Sequence, residues 1–193
     1  MKKIGVVGIG NILFKDEGIG VFIVKYLQEN YRFSPNVDLI DAGTLGFRLM
    51  EYLEDYDHII LVDTISIKDK AGSVYRLTAD EILELGEYKQ TAHEVEVVQM
   101  LGLTKLKGKM ADVVIVGIVP EMICSSEIGL TESLEKEGFK TATYQVLKEL
   151  KKLGISYEKV NNYALRDVVI KHFGSYNGEL VRERITDENY KQD

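Results

Sequence analysis

Apolar and polar positions alternate between two periods along the first 150 residues. Ile4-Gly5-Val6-Val7-Gly8 is an unbroken small and apolar run, the pattern of a strand covered on both faces. From Glu17 to Asn30 the apolar residues Ile19, Phe22, Ile23, Tyr26 and Leu27 recur at helical spacing, and Asp16 stands where an N-cap belongs. Val37–Ile40 reads as a second strand, Phe47–Leu53 as a short helix, and His58–Val62 as a third, fully covered strand. Ser73–Leu77 alternates more and suits a sheet edge. Thr78-Ala79-Asp80-Glu81 and Thr91-Ala92-His93-Glu94 both carry the spacing of a capping box, so each opens a helix. Val113–Gly117 is the last core strand. A long helix after Thr131 places Ala142, Val146, Leu150 and Leu153 on one side.

This alternation of strands and helices predicts an α/β layered domain over residues 1–154. Gly154 interrupts the pattern. Residues 155–193 are polar and weakly periodic, an appendage expected to form a helix around Tyr163–Phe173 and then fray. It is too short to bury a core of its own.

Composition narrows the chemistry. With 193 residues, 45% hydrophobic and 28% charged, the chain has an ordinary globular balance. A net charge of −7 without a basic run argues against nucleic acid as a partner. No apolar stretch approaches the ~20 residues that span a bilayer, so no membrane partner is expected. Met1-Lys2-Lys3-Ile4 leads straight into a strand rather than a signal peptide, so a cytoplasmic protein is expected. The single cysteine, Cys124, rules out intrachain disulfides and sulfur-rich zinc sites. Without a histidine partner it reads as a small buried residue. Any metal must be held by carboxylates and by one of three histidines.

The glycine turn after the first strand, Gly8-Ile9-Gly10-Asn11, resembles a dinucleotide fingerprint but fails its spacing, because Leu13 occupies the third glycine position. The acids at the start of the next helix would also repel a pyrophosphate. Glu17 in a first helical turn is held ionised and suits a cation, although helix capping accounts for Asp16 and Glu17 equally well. Asp63 ends the apolar strand His58–Val62, at the carboxyl edge where open α/β sheets place their ligands. His58 stands at the other end of that strand, roughly 16 Å away at ~3.3 Å per residue, and His172 falls in the polar tail. His93, at a helix start that favours neutral imidazole, is left as the one histidine able to join the two carboxylates. Two carboxylates and one imidazole suit nickel, zinc or a similar divalent ion.

At this point the motifs resemble those of hydrogenase maturation proteases. Gly8-x-Gly10-Asn11-x-Leu13-x-x-Asp16-Glu17-x-x-Gly20 is similar to their N-terminal signature, and Asp41-Ala42-Gly43-Thr44-Leu45-Gly46 to their Asp-Gly-Gly-Thr-x-Gly segment. His58–Asp63, Thr91-Ala92-His93, Val116–Pro120 and Ile128–Thr131 resemble later family segments in the same order. Ala42 replaces a usual glycine, and Ala71-Gly72 stands where Pro-Gly is common. The resemblance implies a three-layer α/β/α sandwich around a twisted, mostly parallel five-stranded sheet. It implies an aspartyl-type endopeptidase that removes the C-terminal extension of a NiFe-hydrogenase large-subunit precursor after nickel insertion. Glu17, Asp63 and His93 would hold that nickel, with zinc or cadmium as substitutes, and Asp41 is a candidate second catalytic carboxylate. A non-enzymatic nickel-sensing chaperone of the same precursor is the alternative. It would leave the extension intact.

Overall fold

A computed structural model describes residues 2–44, 48–84, 92–108, 110–123 and 126–180, with the backbone alone for 92–94. Strand β1 (Ile4–Ile9) is buried along its whole length. A tight turn at Lys15–Gly18 leads into α1 (Ile19–Asn30), followed by β2 (Tyr31–Ser34), β3 (Asp38–Gly43), α2 (Leu49–Asp55) and β4 (His58–Thr64). Next come β5 (Val74–Thr78), α3 (Ala79–Glu84), α4 (Ala92–Leu106) and β6 (Asp112–Ile118). The last elements are α5 (Phe139–Lys152), β7 (Ser156–Lys159), α6 (Leu165–Phe173) and a short hairpin of β8 (Ser175–Tyr176) and β9 (Glu179–Leu180).

Five strands form one sheet in the order β3-β1-β4-β6-β5, all parallel except the edge strand β5. Alternation along the strands divides the core into two layers. Ile4, Val6, Ile60, Val62, Val116 and Ile118 face α1, α5 and α6, whereas Val7, Ile9, Ile59, Leu61, Val113 and Ile115 face α2 and α4. The α/β/α sandwich with a mostly parallel five-stranded sheet is therefore present. No helix among the described residues is long and apolar enough to cross a membrane.

The sequence-based elements hold with four differences, one of them the β8–β9 hairpin after α6, which the sequence did not suggest. Helix α1 starts at Ile19 rather than Glu17, because Lys15–Gly18 forms a separate tighter turn. Asp16 does not cap it, as neither helix start has a side-chain cap bond. Strands β2 and β7, unexpected from the sequence, pair antiparallel as a separate two-stranded sheet.

The capping box at Thr78 forms in full. Glu81 Oε2 accepts the Thr78 N–H at 2.7 Å, and Thr78 Oγ1 accepts the Glu81 N–H at 3.3 Å. Helix α4 begins at Ala92, next to the second box; Thr91 and Phe47 lie outside the described residues, as do Cys124 and 181–193. The helix expected around Tyr163–Phe173 is α6. Its Leu165 and Val169 belong to the same core cluster as β1 and α1, and Phe173 packs its ring 5.9 Å from that of Phe22.

Candidate active site at the carboxyl rim

The chain leaves β1 toward β3 on one side, whereas β4 lies on the other, so the carboxyl ends of β1 and β4 flank a topological switch point. Glycines let α1 approach this point. A Cβ on Gly20 would stand 2.1 Å from the Val62 carbonyl oxygen and 2.4 Å from that of Ile9. One on Gly10, whose φ is +140°, would fall 1.7 Å from the carbonyl oxygen of Glu17. These glycines of the signature therefore seat the Glu17 turn directly on the ends of β1 and β4.

Glu17 is 5% exposed in that turn, and its N–H donates to the Phe14 carbonyl at 3.2 Å. Asp63, also 5% exposed, follows Val62 on β4, and its Oδ1 accepts the Thr64 N–H at 2.7 Å. In the alternation of β4, Asp63 continues the Ile59 and Leu61 series toward the α2–α4 layer. Helix α4 lies in that layer through Met100 and Leu101 and connects from Leu106 to the start of β6. Fifteen residues at ~1.5 Å each carry it back along the strand, so its first turn opens at the same rim as Asp63. His93 sits in that first turn; its side chain lies outside the described residues. Glu17, Asp63 and the backbone of His93 thus share one edge of the sheet.

Asp41 reaches the rim differently. It is level with Gly8 on β1, which is in turn level with Val62, so it stands two strands from β4, roughly 10 Å away. Its Oδ2 pairs with Lys25 Nζ at 3.0 Å, from α1 on the opposite face to Asp63, and its Oδ1 accepts the Gly43 N–H at 3.2 Å. The described residues do not bring Asp41 beside Asp63. His58, at the far end of β4, pairs with Asp112 at 3.2 Å, and exposed His172 pairs with Glu29 at 2.9 Å.

Asp16 is the residue whose part the sequence did not disclose. Its side chain is fully buried. Oδ2 accepts the N–H groups of Glu121 at 3.0 Å and Met122 at 2.9 Å and the Thr131 hydroxyl at 2.9 Å, while Oδ1 accepts the Thr131 N–H at 2.7 Å. The Asp16 N–H donates to the Met122 carbonyl at 3.3 Å, the Lys15 N–H to that of Glu127 at 3.0 Å, and Lys15 Nζ pairs with the Glu127 carboxylate. One carboxylate thereby ties the loop after β1 to the segment after β6. The C-terminal hairpin braces the same segment, where Asn177 donates its backbone N–H to the Ile128 carbonyl at 2.8 Å and its side-chain amide to that of Leu130 at 3.1 Å. Tyr176 is buried behind it, and burial, reinforced by the Glu135 charge, pushes its phenol pKa up, so the hydroxyl stays protonated. Thr131 in the Ile128–Thr131 segment was the one available signal, and it marked only a helix start.

Comparisons with known proteins follow this geometry. A family model described as hydrogenase maturation protease matches residues 21–149. The chain is 33% identical over 167 residues to the hydrogenase 2 maturation protease of Escherichia coli, covering 86% of this chain and 99% of that one. It is 35% identical over 155 residues to a putative hydrogenase maturation protease of Methanocaldococcus jannaschii, covering 78% and 98%. Among solved structures it resembles the hydrogenase maturating endopeptidase HybD from E. coli, with a TM-score of 0.75, 32% identity, and coverage of 82% and 98%.

Proposed function

Since this chain belongs to the hydrogenase maturation protease family and is accordingly a peptidase, we propose that it removes the C-terminal extension of a NiFe-hydrogenase large-subunit precursor once nickel is in place. The supporting observation is the shared rim, where Glu17 and Asp63 end adjacent elements and α4 opens with His93 in its first turn. Two carboxylates and an imidazole, with no thiolate, hold free nickel loosely. They are suited to a nickel ion that arrives already bound to the precursor. In this reading the metal belongs to the substrate, and occupancy of the three ligands signals that insertion is complete.

Hydrolysis then breaks one peptide C–N bond. Water adds its oxygen to the carbonyl carbon, a rim carboxylate takes its proton, and that proton passes to the departing amine. Nearly complete burial of Glu17 and Asp63 removes competing water and strengthens their hold on charge. Asp41, tethered by Lys25, is the candidate for a further carboxylate at this edge.

The test is intact mass spectrometry of precursor incubated with the protein, nickel-loaded and nickel-free in parallel. Loss of one discrete C-terminal peptide from the loaded form alone is expected. Glu17→Gln, Asp63→Asn and His93→Ala should each slow it by about 100-fold or more, and Asp41→Asn reports on the fourth position. Equal cutting of nickel-free precursor would overturn the metal checkpoint. An unchanged mass with a bound, nickel-loaded precursor would overturn cleavage itself.

A further inference from the structure

The two loops joined by Asp16 carry large apolar side chains in solvent. Leu13 is 54% exposed, Phe14 38% and Met122 47%. Leu13 and Phe14 stand three and two positions before Asp16, and Met122 is bonded to Asp16 through both its N–H and its carbonyl. The three therefore lie together. They also lie next to the rim carboxylate, because the Phe14 carbonyl accepts the Glu17 N–H.

Loops that expose apolar residues are ordinarily mobile, and binding would have to order them. These loops are fixed in advance. Beyond the Asp16 bonds, the Asn11 side chain accepts the Leu13 N–H at 3.0 Å, the Asn11 carbonyl accepts the Phe14 N–H at 3.1 Å, and Phe14 bridges to Glu127. Asn11, Lys15 and exposed Glu121 border the apolar group with polar atoms. Rigid apolar anchors inside a polar border are the arrangement in which a few residues carry most of a binding energy.

We propose that Leu13, Phe14 and Met122 form a preformed docking platform for the folded body of the large-subunit precursor, engaging an apolar patch beside the segment to be cut. The occupant follows from position. A folded substrate that presents a peptide bond to Glu17 must also cover Phe14 and Met122, which are bonded to the Glu17 turn, and Leu13 beside them. The inference rests on the proposed substrate. It separates two tasks at one rim: the platform selects the protein, and the carboxylates read its metal.

Nickel-free precursor makes the separation measurable, because docking on an apolar platform does not require the metal. Its dissociation constant from the full chain is determined by titration calorimetry for the native protein, Leu13→Ser, Met122→Ser and the double variant. Thermal unfolding of each is recorded alongside, with little change expected at such exposed positions. Each single change should weaken binding about ten-fold and the double variant further, while Leu106→Ser, at an exposed position by the opposite edge of the sheet, binds as the native protein does. Binding by the folded double variant within two-fold of native would sink the platform. So would absence of binding to nickel-free precursor. Failure of the native protein to cut loaded precursor counts instead against the cleavage proposal, since this assay reads binding alone.

Discussion

Asp16 and Glu17 are neighbours with opposite tasks. Glu17 stands in the turn seated on the rim, while Asp16 turns inward to gather three backbone N–H groups and a hydroxyl from residues 105 to 115 positions away. Asp16→Asn keeps the shape but turns a donor toward donors, stranding at least one of them in the interior. The expected loss is about 3 kcal/mol. For a chain of this size that lowers the thermal midpoint by roughly 6–12 °C, measurable by calorimetry. Thr131→Val removes only the hydroxyl and should cost about 1 kcal/mol. Equal costs for the two would mean that the carboxylate is not the centre of the network. The distinction between the two acids was illegible in the sequence because all of Asp16's partners are remote, and local spacing equally suits a helix cap. Asp63 was legible, because a carboxylate ending an apolar strand is a local pattern whose consequence follows from sheet geometry alone.

Helix α1 is the element on which the rim depends, and its one glycine, Gly20, has no room for a side chain, unlike Gly102 of α4. Gly20→Ala drives a methyl group into two strand carbonyls and should destabilise by more than about 3 kcal/mol or prevent folding. Gly102→Ala, inside α4 with Leu83 at 3.7 Å from the added carbon, should instead stabilise by about 0.5–1 kcal/mol. Denaturant unfolding of both variants gives opposite signs if close packing, rather than helix propensity, decides at Gly20. At its far end α1 is clamped to α6, where Glu29 meets Lys171 and His172. The hydrogen bond from Lys171 holds the Glu29 pKa below its usual 4.5. A depressed carboxylate pKa contributes stability above the unfolded value and loses it as the pH falls through the folded one. Glu29→Gln should therefore lower the unfolding midpoint near neutrality and flatten its decline below about pH 4.5, as followed by circular dichroism. Strands β1, β4 and β6 were readable as apolar runs. Strands β2 and β7 were not, being four residues each, with β7 wholly exposed and paired with a partner more than a hundred positions away.

For the molecule as a whole, the last described segment completes the first core layer. Val21 and Val24 are as buried as the predicted face of α1, which leaves the first half of that helix, Ile19–Val24, covered on every side. Such a helix needs cover from outside the sheet, and α6 supplies it. Removing residues 155–193 uncovers Phe22 and takes Leu165, Val168, Val169 and Phe173 out of the structure. At about 1.5–3 kcal/mol for each fully buried side chain, the loss is comparable to a domain's net stability of ~5–15 kcal/mol. The shortened chain should show no cooperative transition and should bind a hydrophobic dye. Retention of a sharp unfolding transition would mean that the first 154 residues suffice. The polar outer face of α6 concealed this dependence, while the apolar run Ile19–Val24 at the start of α1 carried the signal for it.

The strap at Asp16 also sets an order of events during biosynthesis. A ribosome releases the Glu17 turn early, but Glu121, Met122 and Thr131 emerge only after most of the chain has been made. Until then the Asp16 carboxylate has none of these donors, and the loops of the rim are not yet joined. A nascent or truncated chain can therefore carry every residue of the signature while its rim loops stay unjoined until Thr131, in a chain of 193 residues, has been made.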